Sequence, residues 1–354
     1  MLRVEIENRI ALRRDPEAAP DAGRFRPRLV ALGGGTGLPI VLQGLKNLQF
    51  PPGRRFVAAR DRKHLTAIVT VADDGGSSGR LRRAYGVLPP GDVRNCLLAL
   101  AKADSTLAAI FGYRFDGNGG LGGHNLGNLI LTALSRHGAD FLRAVERAGR
   151  VLGVRGRVLP STLEGVSLLA EFEDGSRVVG ESRIAAVRRP IRRVVLRPSA
   201  ARALPEAREA IERADMVVLG PGSLFTSVIP ILLVKGIRGS IARSGARVVL
   251  VMNLMSEPGE TDGYTAADMI ATLRNHAPRL PIHDVLLNSA PIPEALAGRY
   301  AAGAASPIAA DPGSVRALGC KPVIRDLLGS GLKIRHDPAK LGRVLLDLAA
   351  GRTS

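Results

Sequence analysis

The sequence predicts an α/β fold, a doubly wound and mainly parallel sheet carrying a small β-rich insertion. Three observations point there. From residue 28 onward, short apolar strands alternate with apolar-periodic helices, a rhythm that right-handed crossovers convert into a parallel sheet. Glycine-rich loops follow the strands rather than precede them. Between about 151 and 200 the helical period gives way to alternation, which marks β structure of a different kind. The 354 residues, 45% of them hydrophobic, suffice for one large domain with an insertion. The expected division is an arm at 1–27 and a domain at 28–354.

Residues 1–27 are polar, rich in Arg, Asp and Glu, and close on Pro27; they read as a mobile arm. Arg28–Leu32 is a short apolar strand that runs into Gly33-Gly34-Gly35-Thr36-Gly37 and then a helix over Leu38–Leu48. After a polar stretch at 50–64, Leu65–Val71 reads as a second buried strand. It ends on Ala72–Arg80, a stretch too rich in glycine for an element interior and therefore expected as a loop. Asp92 is positioned to cap a helix over Val93–Ala103. A glycine loop, Gly117–Gly123, leads through His124 into a helix over Leu126–Ser135. Val166–Phe172 and Arg177–Ile184, joined by a turn containing Asp174-Gly175, predict a hairpin. The βα rhythm then resumes: strands at Met216–Leu219, Arg247–Val251 and Asp284–Leu287 feed Gly220-Pro221-Gly222-Ser223, Met252-Asn253 and Asn288-Ser289. Thr265 and Asp268 have capping-box spacing.

The formal charge is +18, which alone would suggest a polyanionic partner. Only seven of the 50 basic residues are lysine, aromatic residues are 3% and Trp is absent, so the stacking platform of single-strand binders is missing. No specific nucleic-acid partner is expected. Six arginines between Arg188 and Arg202, with no acid among them, read as a solvated strand edge or, alternatively, a polyanion site. Cys96 and Cys320 cannot build a disulfide framework or a zinc site. The longest apolar stretch, Ser227–Val234, is far short of the ~18 residues needed to span a bilayer. With no signal peptide either, a cytoplasmic protein is expected.

In open α/β sheets ligands sit beyond the carboxyl ends of the strands, where the unusual loops collect. Gly33–Gly37 offers backbone amides at a helix start, suited to a phosphate or merely to a tight turn. It is neither a P-loop nor a dinucleotide fingerprint. Asp73-Asp74 could reach a ribose or hold Mg2+ with waters, or Asp73 could simply cap its own loop. Ser77, Ser78 and Arg80, with Arg82 and Arg83, add hydroxyl and guanidinium donors. His124 and Asn128, one helical turn apart, could contact phosphate and ribose, or be structural. Gly220, Gly222 and Ser223 form a second anion-competent helix start, and Asn253 follows the next strand. Tyr264 could stack on a base.

Together these motifs resemble the YvcK-type gluconeogenesis factor family, relatives of the CofD-type 2-phospho-L-lactate transferases. The resemblance rests on Gly33–Pro39, Val69–Arg82, Pro89–Asn95, the Gly-His-x-x-Gly-Asn of 123–128, Gly220–Pro230 and Pro258–Asp268, in order over about 28–350. It implies a Rossmann-like domain that binds UDP-sugars, notably UDP-N-acetylglucosamine, and serves carbon-flux control and cell shape. The related transferases imply the alternative: a guanosine-diphosphate-linked donor, Mg2+ and transfer of phospholactate to a deazaflavin. On this resemblance the first glycine loop and Asp73-Asp74 fall in the nucleotide and metal region, with Asp92 and Asn95 in an adjoining loop. His124 and Asn128 belong to the shared Gly-His motif. Tyr264 and Arg299 are expected to present an aromatic and a basic group to the nucleotide sugar. Regulatory protein partners and a homo-oligomer are compatible with the sequence but not specified by it. The arm, the 50–64 segment and Asn125, where serine is commoner, depart from the family pattern.

Overall fold

The computed structural model describes residues 26–50, 57–102, 105–138 and 140–352. All but the end of the expected arm, and most of the early 50s, lie outside the described residues. Seven strands form the main sheet: β1 (Leu29–Gly33), β2 (Leu65–Val69), β3 (Arg157–Pro160), β7 (Met216–Leu219), β8 (Arg247–Val251), β9 (Asp284–Asn288) and β10 (Lys321–Arg325). Their order is β10-β9-β8-β7-β1-β2-β3, and every pairing is parallel. β1, β2 and β7 are buried along their whole length, as a sheet covered on both faces by helices requires.

From β1 the chain steps outward to β2 and β3, then returns to the other side of β1 as β7. That reversal is a topological switch point, where the crossover connections diverge and leave a crevice. The register levels the strand ends: Gly33 pairs with Val69, and Leu32 with Leu219. The loops after β1 and β7 therefore emerge side by side.

The insertion is a separate antiparallel sheet, ordered β5-β4-β6, of β4 (Ser167–Phe172), β5 (Arg177–Val179) and β6 (Ile191–Arg197). It is smaller than the sequence suggests, because β3 belongs to the main sheet. The second hairpin strand also stops early. Gly180, at φ 107°, turns the chain into a helix over Glu181–Val187. The six arginines of 188–202 are not without acid in space: buried Glu171 on β4 pairs with Arg192 and Arg193, and with Arg177 from β5. The Arg193 hydrogen bond, ahead of the surrounding charges, holds the Glu171 carboxyl below the usual range.

Two further expectations are corrected. Gly76–Tyr85 is a helix, not a loop. Gly79 is there for proximity: a Cβ at this position would fall 1.7 Å from the Asp74 carbonyl oxygen, so only glycine lets the helix begin so tightly against the strand end. The next helix spans Gly91–Leu100, and Asp92 does not cap it; Pro90 is the N-cap residue and makes no side-chain cap. Instead Asp92 reaches across to the first glycine loop. The Thr265–Asp268 capping box is present as expected at the start of the Ala266–His276 helix. Among the described residues no helix is long and apolar enough to cross a membrane.

Candidate functional site

A cleft of about 820 Å3 opens at the switch point, within the size range of small-molecule sites. Gly35, Thr36 and Gly37 line one side, and Gly222 and Ser223 the adjoining side, with Asn253 beside them. The two loops touch. A Cβ on Gly37 would lie 2.1 Å from the Pro221 carbonyl oxygen, so this contact requires glycine. Asn253 fixes the second loop through a paired amide contact: its Oδ1 accepts from the Gly222 N–H at 3.0 Å, and its Nδ2 donates to the Gly222 carbonyl at 2.9 Å.

The loop amides are not all bare. The Gly35 N–H donates to Asp92 Oδ2 at 2.8 Å. Ser223 Oγ caps the helical turn that follows by accepting from the Thr226 N–H, and donates its own proton to Glu260. Glu260 also accepts from the Phe225 N–H. Both predicted anion positions thus already hold an internal carboxyl group. Burial is the main reason these groups resist ionisation. Asp92 is raised to about 6, the neighbouring Asp73 charge adding to burial against the Gly35 hydrogen bond. Glu257 is raised to about 7 by burial and by Glu260, whose own carboxyl is pushed up by burial. Glu181, at the start of its helix, is raised to about 8 by burial and by Asp73, Asp92, Asp74 and Glu260.

Across the cleft stand Arg299, on the Glu294–Ala301 helix, Tyr300 and Arg335. Tyr300 is anchored by its hydroxyl, which accepts from the Ile334 N–H at 3.1 Å. His336 closes this end; burial drives its imidazole down to about 4, and its Nε2 has no hydrogen-bond partner. Tyr264, the aromatic singled out in sequence, is half-buried against the main core and is not among the lining residues.

The remaining predicted residues form a polar network behind the cleft, joined to it through Asp92 and Glu181. Asp73 Oδ1 accepts from the Gly75 N–H at 2.8 Å, closing its own loop. Asp74 Oδ1 accepts from the Ser182 N–H at 2.9 Å and so holds the helix that carries Glu181. Ser77 Oγ lies 2.9 Å from His124 Nδ1 and accepts from Asn128 Nδ2 at 3.0 Å. Asn128 and Asn95 in turn accept from the guanidinium of buried Arg94, at 2.9 and 2.7 Å. Ser78 Oγ accepts from the Gly91 N–H. Arg80 donates to the Gly122 carbonyl and Arg82 to Ser167, so neither of these two reaches the Asp73-Asp74 pair. Gly33 and Gly220 serve as joints at the strand ends, the Gly33 carbonyl accepting from Thr70 and the Gly220 N–H donating to Leu32. Gly34 lies against the Thr70 and Asp92 side chains, leaving no room for a Cβ.

Among the described residues no group of three or more His, Cys, Asp or Glu side chains could hold a metal ion. Asp73 and Asp74 each keep one carboxylate oxygen outside these bonds, which fits a cation completed by ligand phosphates rather than a protein-built metal centre.

Sequence reasoning missed Glu181, Glu257, Glu260, Arg94, Tyr300 and His336. Only the i, i+3 spacing of Glu257 and Glu260 around Pro258-Gly259 offered a signal. The Asp92 geometry yields an expected result. Because its folded value is raised, the stability it contributes is complete below pH 4 and lost as pH rises through about 6, a cost of roughly 3 kcal/mol above neutrality. Asp92→Asn keeps an acceptor for the Gly35 N–H and should melt a few degrees higher than wild type at pH 7.5, with no gain at pH 4. A lower melting temperature at pH 7.5 would contradict the assignment.

The comparisons agree with this architecture. Residues 29–328 match the family profile described as 2-phospho-L-lactate transferase CofD. The gluconeogenesis factor of Halalkalibacterium halodurans is 42% identical, over 91% of this chain and 96% of that protein. That of Bacillus subtilis is also 42% identical, over 91% of this chain and 98% of its own. A crystal structure of a UPF0052-family protein from Bacillus halodurans superposes with a TM-score of 0.84 at 42% identity, covering 92% of this chain and all of that one. The chain belongs to the gluconeogenesis factor family, related to the CofD transferases.

Proposed function

We propose that the cleft binds a UDP-sugar, UDP-N-acetylglucosamine foremost, and that the protein is a nucleotide-sugar-responsive regulator linked to gluconeogenic growth, cell-wall synthesis and cell shape. One observation carries the ligand class: a single cleft sets guanidiniums against carboxyl groups across a floor of glycine loops. Arg299 and Arg335, with the free amides of the first loop, suit a diphosphate. Glu181, Glu257 and Glu260 face the same space, and carboxyl oxygens are acceptors for sugar hydroxyls. Tyr300 supplies a ring for a base. The relatives' description as gluconeogenesis factors supports the link to gluconeogenic growth, and Mg2+ enters this reading only with the ligand's phosphates.

Thermal shift with UDP-N-acetylglucosamine, GDP and NAD tests the ligand. UDP-N-acetylglucosamine should stabilise most, and Arg299→Ala should weaken its binding roughly ten-fold while leaving the unliganded melting temperature nearly unchanged, because Arg299 is exposed. Stabilisation by GDP with none by the UDP-sugar would reject the reading. The family profile's description supports a second one, a transferase using a nucleoside-diphosphate-linked donor with Mg2+. Incubation of a guanosine-diphosphate-linked lactate donor with a deazaflavin acceptor separates the two: metal-dependent product, lost in Asp73→Asn, would establish the transferase.

A further inference from the structure

A second cavity, of about 390 Å3, lies at the other end of the sheet. Arg62 precedes β2 and Arg157 begins β3, so it opens at the amino ends of strands whose carboxyl ends face the cleft. Its floor is apolar and buried, formed by Leu97, Val145, Val154 and Val158. Arg62, Arg157 and, from the Phe141–Val151 helix, Arg143 and Arg150 complete the lining, with Glu146 as its one acid.

None of these four arginines belongs to an ion pair among the described residues. The contrast with the insertion is instructive. There, three arginines converge on buried Glu171, and the protein supplies its own counter-charge. At this cavity Glu146 is the one acid facing four guanidiniums, and it forms an ion pair with none of them. Burial and the charges of Arg150 and Arg157 push the Arg62 guanidinium below its ordinary value, and only Glu146 opposes them.

We propose that this cavity is a second ligand site, for a small oxyanion carrying at least two negative charges. Guanidinium forks match phosphate and carboxylate oxygens in pairs, and an anion held among them would turn mutual repulsion into attraction. The volume admits a small molecule rather than a nucleic-acid strand. The site is separate from the cleft and stands whether or not the cleft binds a UDP-sugar.

Amide hydrogen exchange on the full chain tests the proposal, with inorganic pyrophosphate and, separately, citrate as probes. At least one anion should protect amides in 57–66 and 141–159, and the ratio of the two affinities identifies phosphate or carboxylate chemistry. In Arg62→Gln/Arg157→Gln the affinity read from those segments should fall roughly ten- to hundred-fold; in Ser223→Ala, a change in the cleft, it should not move. Absence of protection there with both probes, or protection undiminished in the double variant, overturns the proposal. A second measurement needs no ligand. Arg150→Gln removes one of the repelling charges from an exposed position and should raise the melting temperature at low salt. A fall would overturn the claim that the charge here is uncompensated.

Discussion

Gly37→Ala should destabilise the protein by about 2 to 3 kcal/mol and weaken ligand binding at least ten-fold, although it adds only one methyl group. The Cβ it introduces would sit 2.1 Å from the Pro221 carbonyl oxygen and 3.0 Å from the Gly222 nitrogen. Both neighbours are backbone, and the Gly222 peptide is held on both its N–H and its carbonyl by Asn253. The clash therefore cannot be relieved by a side-chain rotation. The loops after β1 and β7 must part, and the cleft they share must widen. Gly119→Ala is the matching control, since nothing lies within 4 Å of the added atom. Equal melting temperatures and equal ligand affinities for Gly37→Ala and wild type would show that the two loops do not form one rigid floor.

How far the sequence reveals this arrangement depends on what each feature needs from the rest of the chain. β1, β2 and β7 are legible because a strand buried on both faces must be a continuous apolar run, and Leu29–Gly33, Leu65–Val69 and Met216–Leu219 are such runs. β10 is not: Lys321–Arg325 is an edge strand with a proline and charged ends, which resembles a loop. The Gly76–Tyr85 helix was hidden because glycine signals a turn by frequency, while Gly79 serves a close approach visible only in space. The same distinction runs through the site. The glycine loops and Asn253 announce themselves by following strands, whereas Glu181, Glu257 and Glu260 look like surface acids until the fold gathers them. Arg82, expected to add guanidinium charge for a diphosphate, instead binds the insertion at Ser167. Tyr264 and Tyr300 are equally conspicuous as letters; only the packing puts Tyr300 on the cleft and Tyr264 against the core.

Those gathered acids set the second large effect, a dependence of ligand affinity on pH. In their folded environments Asp92, Glu257 and Glu181 protonate near 6, 7 and 8. At pH 6 Glu257 and Glu181 are largely neutral and Asp92 is about half-charged; at pH 8.5 all three are mostly charged. A nucleotide-sugar diphosphate keeps its negative charges across this range, so only the charge of the cleft changes. Unit charges 4 Å apart at an effective dielectric of 20 repel by about 4 kcal/mol, and even a third of that is about ten-fold in affinity. UDP-N-acetylglucosamine should therefore bind at least ten-fold more tightly at pH 6 than at pH 8.5, measured by calorimetric titration at constant ionic strength. Glu181→Gln, neutral at both values, should reduce the difference. Mg2+ should restore affinity at pH 8.5 and change little at pH 6, because a cation and a proton offset the same charge. Equal affinity at the two pH values, in the absence of metal, would place the diphosphate beside Arg299 and Arg335, away from Glu181; tighter binding at the higher pH would reject repulsion by these carboxyl groups altogether.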